Sequence, residues 1–441
     1  MTRVRCTFVP PYLLERVAGA GGGSPASRTL LVDDLLRGRR TAGGADAVVA
    51  EEDRAWVVHT AGNGEDLPGV VVRRAGDPAT GDPAVNEAGA GVSGALALLG
   101  EVYERDSYDD AGAPVVVTVH YGRDYANAFW DGAQLVFGDG DGEVFDRFTK
   151  AVDVLGHELA HAVTEHSAGL EYHAQPGALN ESFSDVFAAC LKQRLRAQTA
   201  AEADWLVGEG IFLPSVQARA LRDMAAPGTA YDDPRLGRDP QPAHLDDYVT
   251  GPADNGGVHV NSGIPNRAFV LAARAIGGTS WDGAGRVWYA ALTSRAVGPT
   301  TDFAGFAAAT VAAAGAHADV VHAAWEEVGV VPAYGGAVPA GPVSAAAGGG
   351  TVRVRRSGGF AGLVSEAALD LDADDPDGEV RTLLGRCDLR AVAPGKPAPD
   401  RFVYEVATPD QHAVLHEGAL TGDLRRLVTL VLERGRPGTS A

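Results

Sequence analysis

The sequence predicts an α+β protein with a β-rich lobe, a mostly helical lobe and a small separate α+β domain, in that order along its 441 residues. Short β-type runs with Gly and Asp turns between them dominate residues 56–148, as in VVVTVHY at 115–121. Long Ala-rich patterns with helical spacing dominate residues 151–329. Residues 334–350 are almost entirely Gly, Ala, Pro, Ser and Val, which is linker composition and sets off the last domain.

The first element is a small N-terminal unit that can be detached from the rest. A Gly, Ser and Pro break at 19–27 precedes a short amphipathic segment at 29–38, and Gly43 and Gly44 mark another break. The predicted boundaries are 1–50 for this unit, 51–150 for the β-rich lobe, 151–333 for the helical lobe, 334–350 for the linker and 351–441 for the last domain.

The β-rich lobe is predicted to be a twisted antiparallel sheet, because its runs, including QLVFGDGDG at 134–142, are short and separated by turns. In the helical lobe the clearest helical pattern is FAGFAAATVAAAGAHA at 303–318. The last domain opens with the alternating strand TVRVRR at 351–356, and the leucine spacing of 424–435 predicts a closing helix. This domain is therefore expected to be a small α+β module.

Composition excludes several classes of function. A formal net charge of −21 argues against nucleic-acid or anionic-membrane partners, because phosphate binding relies on clustered Lys and Arg. Three distant cysteines, Cys6, Cys190 and Cys387, predict neither a disulfide framework nor a cysteine zinc site. Pro10 and Pro11 interrupt the N-terminus before an apolar run of signal-peptide length develops, and no run approaches the roughly 18 apolar residues of a membrane span. We expect no leader and no membrane partner, with synthesis in the cytoplasm followed by residence there or secretion by a leaderless route.

The segment VDVLGHELAHAVTEH carries the pattern HExxH. On a helix His157 and His161 project from one face, so both imidazoles can bind one Zn²⁺ with Glu158 beside them. The alternative is a helix that carries two histidines by chance, and the apolar flanks, which fit a buried helix, disfavour it. A catalytic zinc needs three protein ligands and one open position for water.

The third ligand distinguishes between classes of zinc enzyme. The extended metzincin pattern HExxHxxGxxH requires Gly and His where this chain has Thr164 and Ser167, so that class is excluded. GALNESFSD follows instead and places Glu181 on a predicted second helix as the third ligand. Asp185, one turn further on, either accepts the second N–H of a ligating histidine or is a solvated helix residue.

A third polar segment, DNGGVHVNSG at 254–263, leads into the next helical pattern. Taken alone, His259 is typical of a loop histidine that is satisfied by local hydrogen bonds. In the company of the zinc motif it becomes a candidate for catalysis.

Together, HELAHAVTEHSAGLEY, GALNESFSD and DNGGVHVNSGIPN, in this order, resemble the thermolysin family of zinc peptidases. NAFWDG at 127–132 and ALRDM at 220–224 match the family as well, so the resemblance covers approximately residues 56–333. It implies a two-lobed endopeptidase with one catalytic zinc on His157, His161 and Glu181. Such an enzyme acts on proteins or peptides, on the amino side of bulky apolar residues.

The resemblance also assigns residues to three further groups. Those that act in catalysis are Glu158 as the general base, Tyr172 and His259 as oxyanion donors, and Asp254, which orients His259. Those that hold the substrate main chain are Asn127, the Ala128 backbone and Arg222. Those that line the pocket for the residue after the cut bond are Phe145, Val154, Val207, Ile211 and Leu221. The chemistry agrees, because zinc lowers the pKa of its water towards 7 and Glu158 can take that proton and later pass it to the leaving amine.

Calcium binding is where the chain departs from the resemblance. Larger family members bind a calcium pair beside the active site through several carboxylates. Here Asp153, Asp204 and Glu209 are retained, but Lys192 and Leu206 stand where carboxylates are expected. A lysine ammonium cannot ligate a metal, although it can neutralise the remaining acids. We expect the paired calcium site to be lost, although calcium stays a candidate ligand besides zinc.

Both flanking segments resemble regulators of such peptidases. CTFVPPYLLERVA at 6–18 resembles the short propeptide of protealysin-like members, which implies an inhibitor that is removed from the chain. Cys6 is either uninvolved or caps the zinc as a thiolate. VRVRRSGGFAGL at 352–363 and DRFVYEV at 400–406 resemble the small protein inhibitors associated with protealysin-like peptidases, with an accessory or substrate-docking module as the alternative. Fusion would give an inhibitor an effective concentration of about millimolar order if the linker spans the distance.

Two functions from different classes follow. The first is an active endopeptidase made as an autoinhibited precursor. The second is a regulatory binding protein in which the N-terminal unit and the last domain keep the site occupied. The complete set of ligands, base and oxyanion donors favours catalysis, because binding alone needs neither Glu158 nor His259.

Overall fold

The chain divides into two compact units, Met1–Gly336 and Ala337–Ala441. In this computed structural model the first unit is described over residues 7–19, 24–41 and 55–332. The described residues of the second unit are 351–358, 365–371, 373–374, 379–384, 389, 402–408, 411–416, 420, 422–434 and 436–437. Among all these residues, no helix combines the length and the apolar character that crossing a membrane requires.

The N-terminal unit contains two helices, α1 (Pro11–Ala18) and α2 (Pro25–Thr41). Pro11 suits the first position of α1, because its fixed φ is helical and its missing N–H would have no partner there. Leu13 and Leu14 of α1 are buried, so the helix is packed into the core of the first unit. The amphipathic segment predicted at 29–38 lies within α2.

The β-rich lobe is built on one five-stranded sheet. Its strands, in the spatial order β2-β1-β3-β5-β4, are β1 (Trp56–Thr60), β2 (Val70–Arg74), β3 (Val115–Val119), β4 (Ala128–Trp130) and β5 (Leu135–Phe137). The prediction of an antiparallel sheet is wrong, because β3 pairs in parallel with both β1 and β5. Parallel neighbours need a crossover connection, and the long helix α3 (Pro83–Tyr103) lies in the connection between β1 and β3.

The helical lobe follows, and a β-rich lobe followed by a helical one is the fold class that the sequence predicts. Its helices are α4 (Val152–Glu165), α5 (Ala174–Leu195), α6 (Asp254–Asn261), α7 (Gly263–Ile276), α8 (Ala284–Leu292), α9 (Phe303–Ala313) and α10 (Ala318–Glu327). Two short hairpins lie between α5 and α6: β6 (Leu206–Val207) with β7 (Arg222–Asp223), and β8 (Asp232–Asp233) with β9 (Gly237–Arg238). The helix predicted at 303–318 is interrupted, because α9 ends at Ala313 and a 3-10 turn precedes α10.

Helices α4 and α5 pack closely enough for polar groups of both to meet. A Cβ at Gly156 of α4 would lie 3.1 Å from the Cα of Ala188 of α5, so only glycine permits this approach without a shift. The HExxH helix and the helix that carries Glu181 are therefore held side by side.

The second unit is a small α+β module, as expected. Its sheet has the order β13-β12-β10-β11-β14, with every recorded pairing antiparallel. The elements are β10 (Thr351–Gly358), β11 (Ser365–Asp370), α11 (Glu379–Leu384), β12 (Phe402–Ala407), β13 (His412–His416), α12 (Gly422–Arg434) and β14 (Arg436–Pro437). Leu427 and Val431 of α12 are fully buried with Val352 and Val354 of β10 in a core of their own.

Candidate active site

Three possible metal ligands converge between α4 and α5. The Nε2 atoms of His157 and His161 lie 3.0 Å apart, and the Glu181 carboxylate lies 3.4 Å from the first and 3.7 Å from the second. All three side chains are buried, and their ligand atoms lie within 4.8 Å of one another. Two imidazole nitrogens at the usual Zn–N distance from one tetrahedral ion would be about 3.3 Å apart, so the arrangement fits a zinc ion.

The second ring nitrogen of each histidine is already engaged. His157 Nδ1 lies 2.9 Å from Asp185 Oδ1, and His161 Nδ1 lies 2.9 Å from Asn180 Oδ1. When Nδ1–H donates to these oxygens, Nε2 keeps the lone pair that binds a metal. This is the tautomer that a zinc site requires. Asp185 was predicted from the sequence to have this role, whereas Asn180, which lies next to Glu181 on α5, was not.

Glu158 lies on the same helix as both histidines and is fully buried. Its Oε2 accepts a 2.8 Å hydrogen bond from the backbone N–H of Trp130, and its Oε1 has no hydrogen-bond partner among the described residues. Burial raises the pKa of this carboxyl to about 8, against the opposing charge of His157. A carboxylate with one free oxygen next to a metal site is suited to take a proton from water.

Tyr172 and His259 face the same ligands from another side. The Tyr172 hydroxyl donates to Glu181 Oε1 at 2.5 Å and lies 3.1 Å from His259 Nε2. His259 Nδ1 lies 2.5 Å from Asp254 Oδ1, while Asp254 Oδ2 accepts the His259 backbone N–H at 2.9 Å. Asp254 therefore fixes both the ring and the backbone of His259, in the way expected of an orienting residue.

A compact turn places Asp254 next to His259. The four residues from Asp254 to Gly257 all have left-handed backbones, with φ values of 53, 50, 84 and 80°. A Cβ at Gly257 would lie 2.4 Å from the side-chain nitrogen Nδ2 of Asn261 and 3.2 Å from the Val249 carbonyl oxygen, and the φ of 80° also favours glycine there. The conformation of this turn therefore explains the DNGG sequence, independently of any role in catalysis.

Asp185 joins the candidate metal site to Arg222. Arg222 donates to Asp185 through Nε at 2.8 Å and Nη2 at 2.7 Å, and Asn266 donates to the same carboxylate at 2.8 Å. Burial alone would raise the pKa of Asp185, but the charge of Arg222 and the hydrogen bond from His157 lower it. Asp185 is therefore ionised and holds a metal ligand and an arginine together. The role of Asn266, the last residue of the GIPN segment, was not predicted from the sequence.

The residues predicted to hold a substrate main chain bind part of this chain. Asn127 accepts the Val9 N–H at 2.8 Å and donates to the Val9 carbonyl at 3.2 Å. The Phe8 N–H donates to the Ala128 carbonyl at 3.0 Å, and Arg222 Nη1 donates to the Phe8 carbonyl at 3.4 Å. The N-terminal segment thus lies in the cleft as a bound peptide.

The side chain of Phe8 enters the neighbouring apolar region and is fully buried. The five residues predicted to line this pocket belong, with Phe8, to the large buried core of the first unit: Phe145, Val154, Val207, Ile211 and Leu221. The structure adds Phe148, whose ring centroid lies 6.5 Å from that of Phe8, and Gly208. These two were not predicted from the sequence, although Gly208 follows Val207 in the chain and the Phe148 ring lies 5.8 Å from that of Phe145.

Helix α2 covers the neighbouring segment of the β-rich lobe. Asp33 is buried and accepts hydrogen bonds from the Tyr125 hydroxyl at 2.5 Å and from Asn127 Nδ2 at 3.1 Å. One turn earlier, Thr29 Oγ1 accepts the backbone N–H of Ala126 at 3.1 Å. Asn127 is therefore bound from two parts of the N-terminal unit, Val9 and Asp33.

Lys192 occupies the acidic cluster where the resemblance placed calcium ligands. Its buried ammonium lies 3.0 Å from Asp204 Oδ1, 3.0 Å from Glu209 Oε2 and 3.9 Å from Asp153 Oδ2. It also donates to the Leu206 carbonyl at 3.0 Å. A cation that belongs to the chain thus contacts the three retained acids.

Some predictions fall on residues that the structure does not describe. These are Cys6 and Cys387, the break at Gly43 and Gly44, and the linker 334–350. Cys190 is a buried free thiol, and burial raises its pKa to about 12, which makes it unreactive.

Three protein families match successive parts of the chain, and their order follows that of the β-rich lobe, the helical lobe and the second unit. Residues 63–165 match the family described as "Thermolysin metallopeptidase, catalytic domain", and residues 168–330 match "Thermolysin metallopeptidase, alpha-helical domain". Residues 354–432, in the second unit, match the family Emfourin.

Individual relatives cover most of the chain. An extracellular metalloprotease of Pectobacterium carotovorum subsp. carotovorum is 45% identical over 338 residues, which are 75% of this chain and 97% of the relative. Protease PrtS of Photorhabdus sp. (strain Az29) is 41% identical over 73% of this chain and 91% of its own length. Among solved structures, the precursor of protealysin, a metalloproteinase from Serratia proteamaculans, is similar with a TM-score of 0.67 and 46% identity. It covers 74% of this chain and all of the solved one.

Proposed function

Because the chain belongs to the thermolysin family of metallopeptidases and is a zinc metalloendopeptidase, we propose that it cuts on the amino side of bulky apolar residues, with Glu158 as the general base. One observation carries this proposal. The free, buried Oε1 of Glu158 belongs to a residue adjacent to His157, at a site where three metal ligands converge.

His157, His161 and Glu181 would hold the zinc, which in such sites polarises a carbonyl and lowers the pKa of a bound water. Glu158 takes the proton of the attacking water and later delivers it to the leaving nitrogen. Trp130 holds the other carboxylate oxygen, so the base is positioned before a substrate arrives. No nucleophilic serine or cysteine is needed in this scheme.

Tyr172 and His259 act on the oxyanion that forms when water attacks the carbonyl. Both donors are preorganised, His259 by Asp254 and Tyr172 by its contacts with His259 and Glu181. A preorganised donor of this kind contributes roughly 10²-fold to 10³-fold to the rate. Asn127, the Ala128 backbone and Arg222 hold the substrate main chain through the groups that now bind Phe8 and Val9.

The protein is made as an autoinhibited precursor whose propeptide is residues 1–50. The support is that Phe8 and Val9 occupy the main-chain contacts that a substrate needs. Processing takes place between about residues 40 and 56, in a polar segment of which residues 42–54 are not described. The propeptide therefore blocks the cleft until the connecting segment is cut.

The last domain, residues 351–441, acts as an inhibitor of peptidases of this family, joined by the linker 334–350. Support comes from the Emfourin match over residues 354–432. A substrate-docking module is the alternative. Assays of a truncated protein that ends at residue 333 distinguish the two roles. Removal of an inhibitor raises activity on a small peptide, whereas removal of a docking module lowers activity on proteins and leaves the small peptide unaffected.

The proposal has two further parts. The mature enzyme acts outside the cell, as the name of the Pectobacterium relative suggests for that protein. Lys192 takes the place of the paired calcium site, so the enzyme does not depend on calcium there.

The decisive experiment combines metal analysis with an assay of peptide hydrolysis. Purified chain is assayed on casein and on furylacryloyl peptides, before and after limited autolysis, with and without a zinc chelator. We expect about one zinc per chain, a rise in activity when the N-terminus is removed, and loss of activity with the chelator. Zinc-free protein that cuts peptides equally well would refute the mechanism.

A further inference from the structure

The pocket that receives Phe8 makes contacts that an aliphatic side chain cannot reproduce. The Phe8 ring and the His157 imidazole form a T-shaped contact, with centroids 5.2 Å apart and planes at 84°. The guanidinium carbon of Arg222 lies 4.9 Å from the centre of the same ring, within the range of a cation–π contact. Phe148 makes a second edge contact at 6.5 Å and 81°. All three contacts depend on the aromatic ring of Phe8, through either its π face or its polarised edge.

The groups that make these contacts are held in place by residues other than Phe8. Asp185 holds Arg222 through two hydrogen bonds and holds His157 through a third. Phe148 is fully buried, with its ring 5.8 Å from that of Phe145. The same surroundings therefore await any side chain that enters the pocket after the propeptide has left.

The depth of the pocket also suits a phenyl ring. A Cβ at Gly208 would lie 3.2 Å from both Cε1 and Cζ of Phe8, so the far end of the ring reaches the Gly208 backbone. Asp153 accepts the Gly208 N–H at 3.0 Å and fixes this wall. The pocket thus ends about where a benzene ring ends.

The main chain of Phe8 has the position expected of the residue after the cut bond. Its carbonyl is bound by Arg222, its N–H by the Ala128 carbonyl, and the next residue by Asn127. We propose that this enzyme prefers substrates with an aromatic residue directly after the cut bond, over aliphatic residues of equal size. This inference rests on the proposed function and narrows its substrate class from bulky apolar residues to aromatic ones.

The test compares three peptides that differ only in the residue after the cut bond. Mature enzyme is assayed on furylacryloyl-Gly-Xaa-amides in which Xaa is Phe, cyclohexylalanine or Leu. Cyclohexylalanine keeps the size and apolar surface of Phe but has no π electrons. We expect kcat/KM to be about tenfold higher for Phe than for cyclohexylalanine, because edge and cation–π contacts are both lost. Equal or better cleavage of the cyclohexylalanine peptide would overturn the inference, whereas failure to cut any of the three would overturn the proposed function instead.

A variant of Phe148 tests whether the preference for an aromatic residue comes from the ring contacts. Phe148→Leu keeps the pocket apolar but removes one edge contact, so the ratio of the Phe to the cyclohexylalanine rate should fall about threefold. Zinc content and the circular dichroism spectrum check that the variant is folded. An unchanged ratio in a folded variant overturns the role given to Phe148. In the precursor, Phe8→Leu should be activated faster than the wild type, and equal activation times contradict the aromatic preference independently of any substrate.

Discussion

The backbone N–H of Trp130 donates a 2.8 Å hydrogen bond to Glu158 Oε2. Trp130 belongs to β4 and Glu158 to α4, so the contact ties the edge of the sheet to the candidate metal helix. Only one carboxylate oxygen is used in this way, and the other has no hydrogen-bond partner among the described residues. The bond sets the direction of the carboxylate while leaving one oxygen for a proton.

Glu158→Gln should therefore bind zinc normally and lose most activity. The amide cannot take a proton from water, whereas the ligands His157, His161 and Glu181 are unchanged. We expect the rate to fall about 10²-fold to 10⁴-fold and the protein to keep its own N-terminus. Metal analysis and peptide hydrolysis measure the two effects. His157→Ala is the matched control, because it should lower the zinc content itself. A folded, zinc-free Glu158→Gln protein would remove Glu158 from the role of base.

Asp33→Asn should shorten the time that the precursor needs for activation. Asp33 accepts hydrogen bonds from Tyr125 and Asn127, and an amide at this position can accept only through one oxygen. Loss of one buried contact costs about 1 to 3 kcal/mol, so release of the N-terminal unit should be about tenfold faster. The time course of autolysis, followed by mass spectrometry, measures this.

Asp34→Asn is the control for that substitution, because Asp34 is the exposed neighbour of Asp33 on the same helix. The mature enzymes from the two variants should have the same kcat/KM, since the N-terminal unit has been removed from both. Activation of Asp33→Asn at the wild-type rate would show that the Asp33 contact does not hold the unit in place.

The metal ligands could be predicted from sequence because their signal is local. His157 and His161 are four residues apart on one helix, and Glu181 lies within the next recognisable motif, GALNESFSD. The contact between Asp33 and Asn127 has no such signal. It joins residues 94 positions apart, and an aspartate on an amphipathic helix is as typical of a solvated face as of a buried contact.

The β-rich lobe was harder to predict than the helical one for two physical reasons. Helix α3 contains four glycines, which favour turns in a single sequence, although its Asp82 cap and Pro83 are typical of a helix start. The parallel pairing of β1 with β3 depends on a long crossover connection, and the sequence of neither strand indicates it. Strand positions were thus easier to predict than their direction.

His120 gives a pH-dependent contribution to stability. It lies between two acids, with Nδ1 2.8 Å from Asp139 and Nε2 2.9 Å from Asp82. The hydrogen bond to Asp139, aided by that to Asp82, raises the pKa of His120 from 6.5 to about 9, against the effect of burial. A raised histidine pKa stabilises the folded state fully below pH 6.5, and this stabilisation is lost as the pH rises through about 9.

His120→Asn should therefore lower the free energy of unfolding at pH 6 by about 1 kcal/mol, because the pair is partly exposed to solvent. Asparagine suits the site, since residue 120 has a φ of 55°. Denaturant unfolding at pH 6, 7.5 and 9.5, in the Glu158→Gln background to prevent autolysis, should show the difference shrinking with pH. His317→Asn, on an exposed turn, is the control. A difference that stays constant from pH 6 to 9.5 contradicts the assignment.

Lys192 should make the stability of the enzyme independent of calcium at the cluster of Asp153, Asp204 and Glu209. Its side chain is 4% exposed and Asp153 is buried, so removal of the ammonium leaves a buried acid without its main cation. Lys192→Met should therefore lower the free energy of unfolding by about 3 to 5 kcal/mol. Arg196→Met is the matched control. Arg196 contacts two of the same acids from a position that is 49% exposed, and exposed pairs contribute no more than about 1 kcal/mol.

Lys192→Ser tests the link to calcium directly. The shorter side chain leaves room for an ion among the three acids. Carboxylates and carbonyl oxygens are the ligands that Ca²⁺ prefers. With zinc present in excess throughout, millimolar calcium should raise the Tm of Lys192→Ser by several degrees and leave that of the wild type unchanged. The physical reason is that the wild-type ammonium already occupies the position, 3.0 Å from Asp204 and from Glu209, and a second cation there would be repelled. A wild-type Tm that rises with calcium as much as that of the variant would mean that calcium binds elsewhere in the fold, and that Lys192 does not replace it.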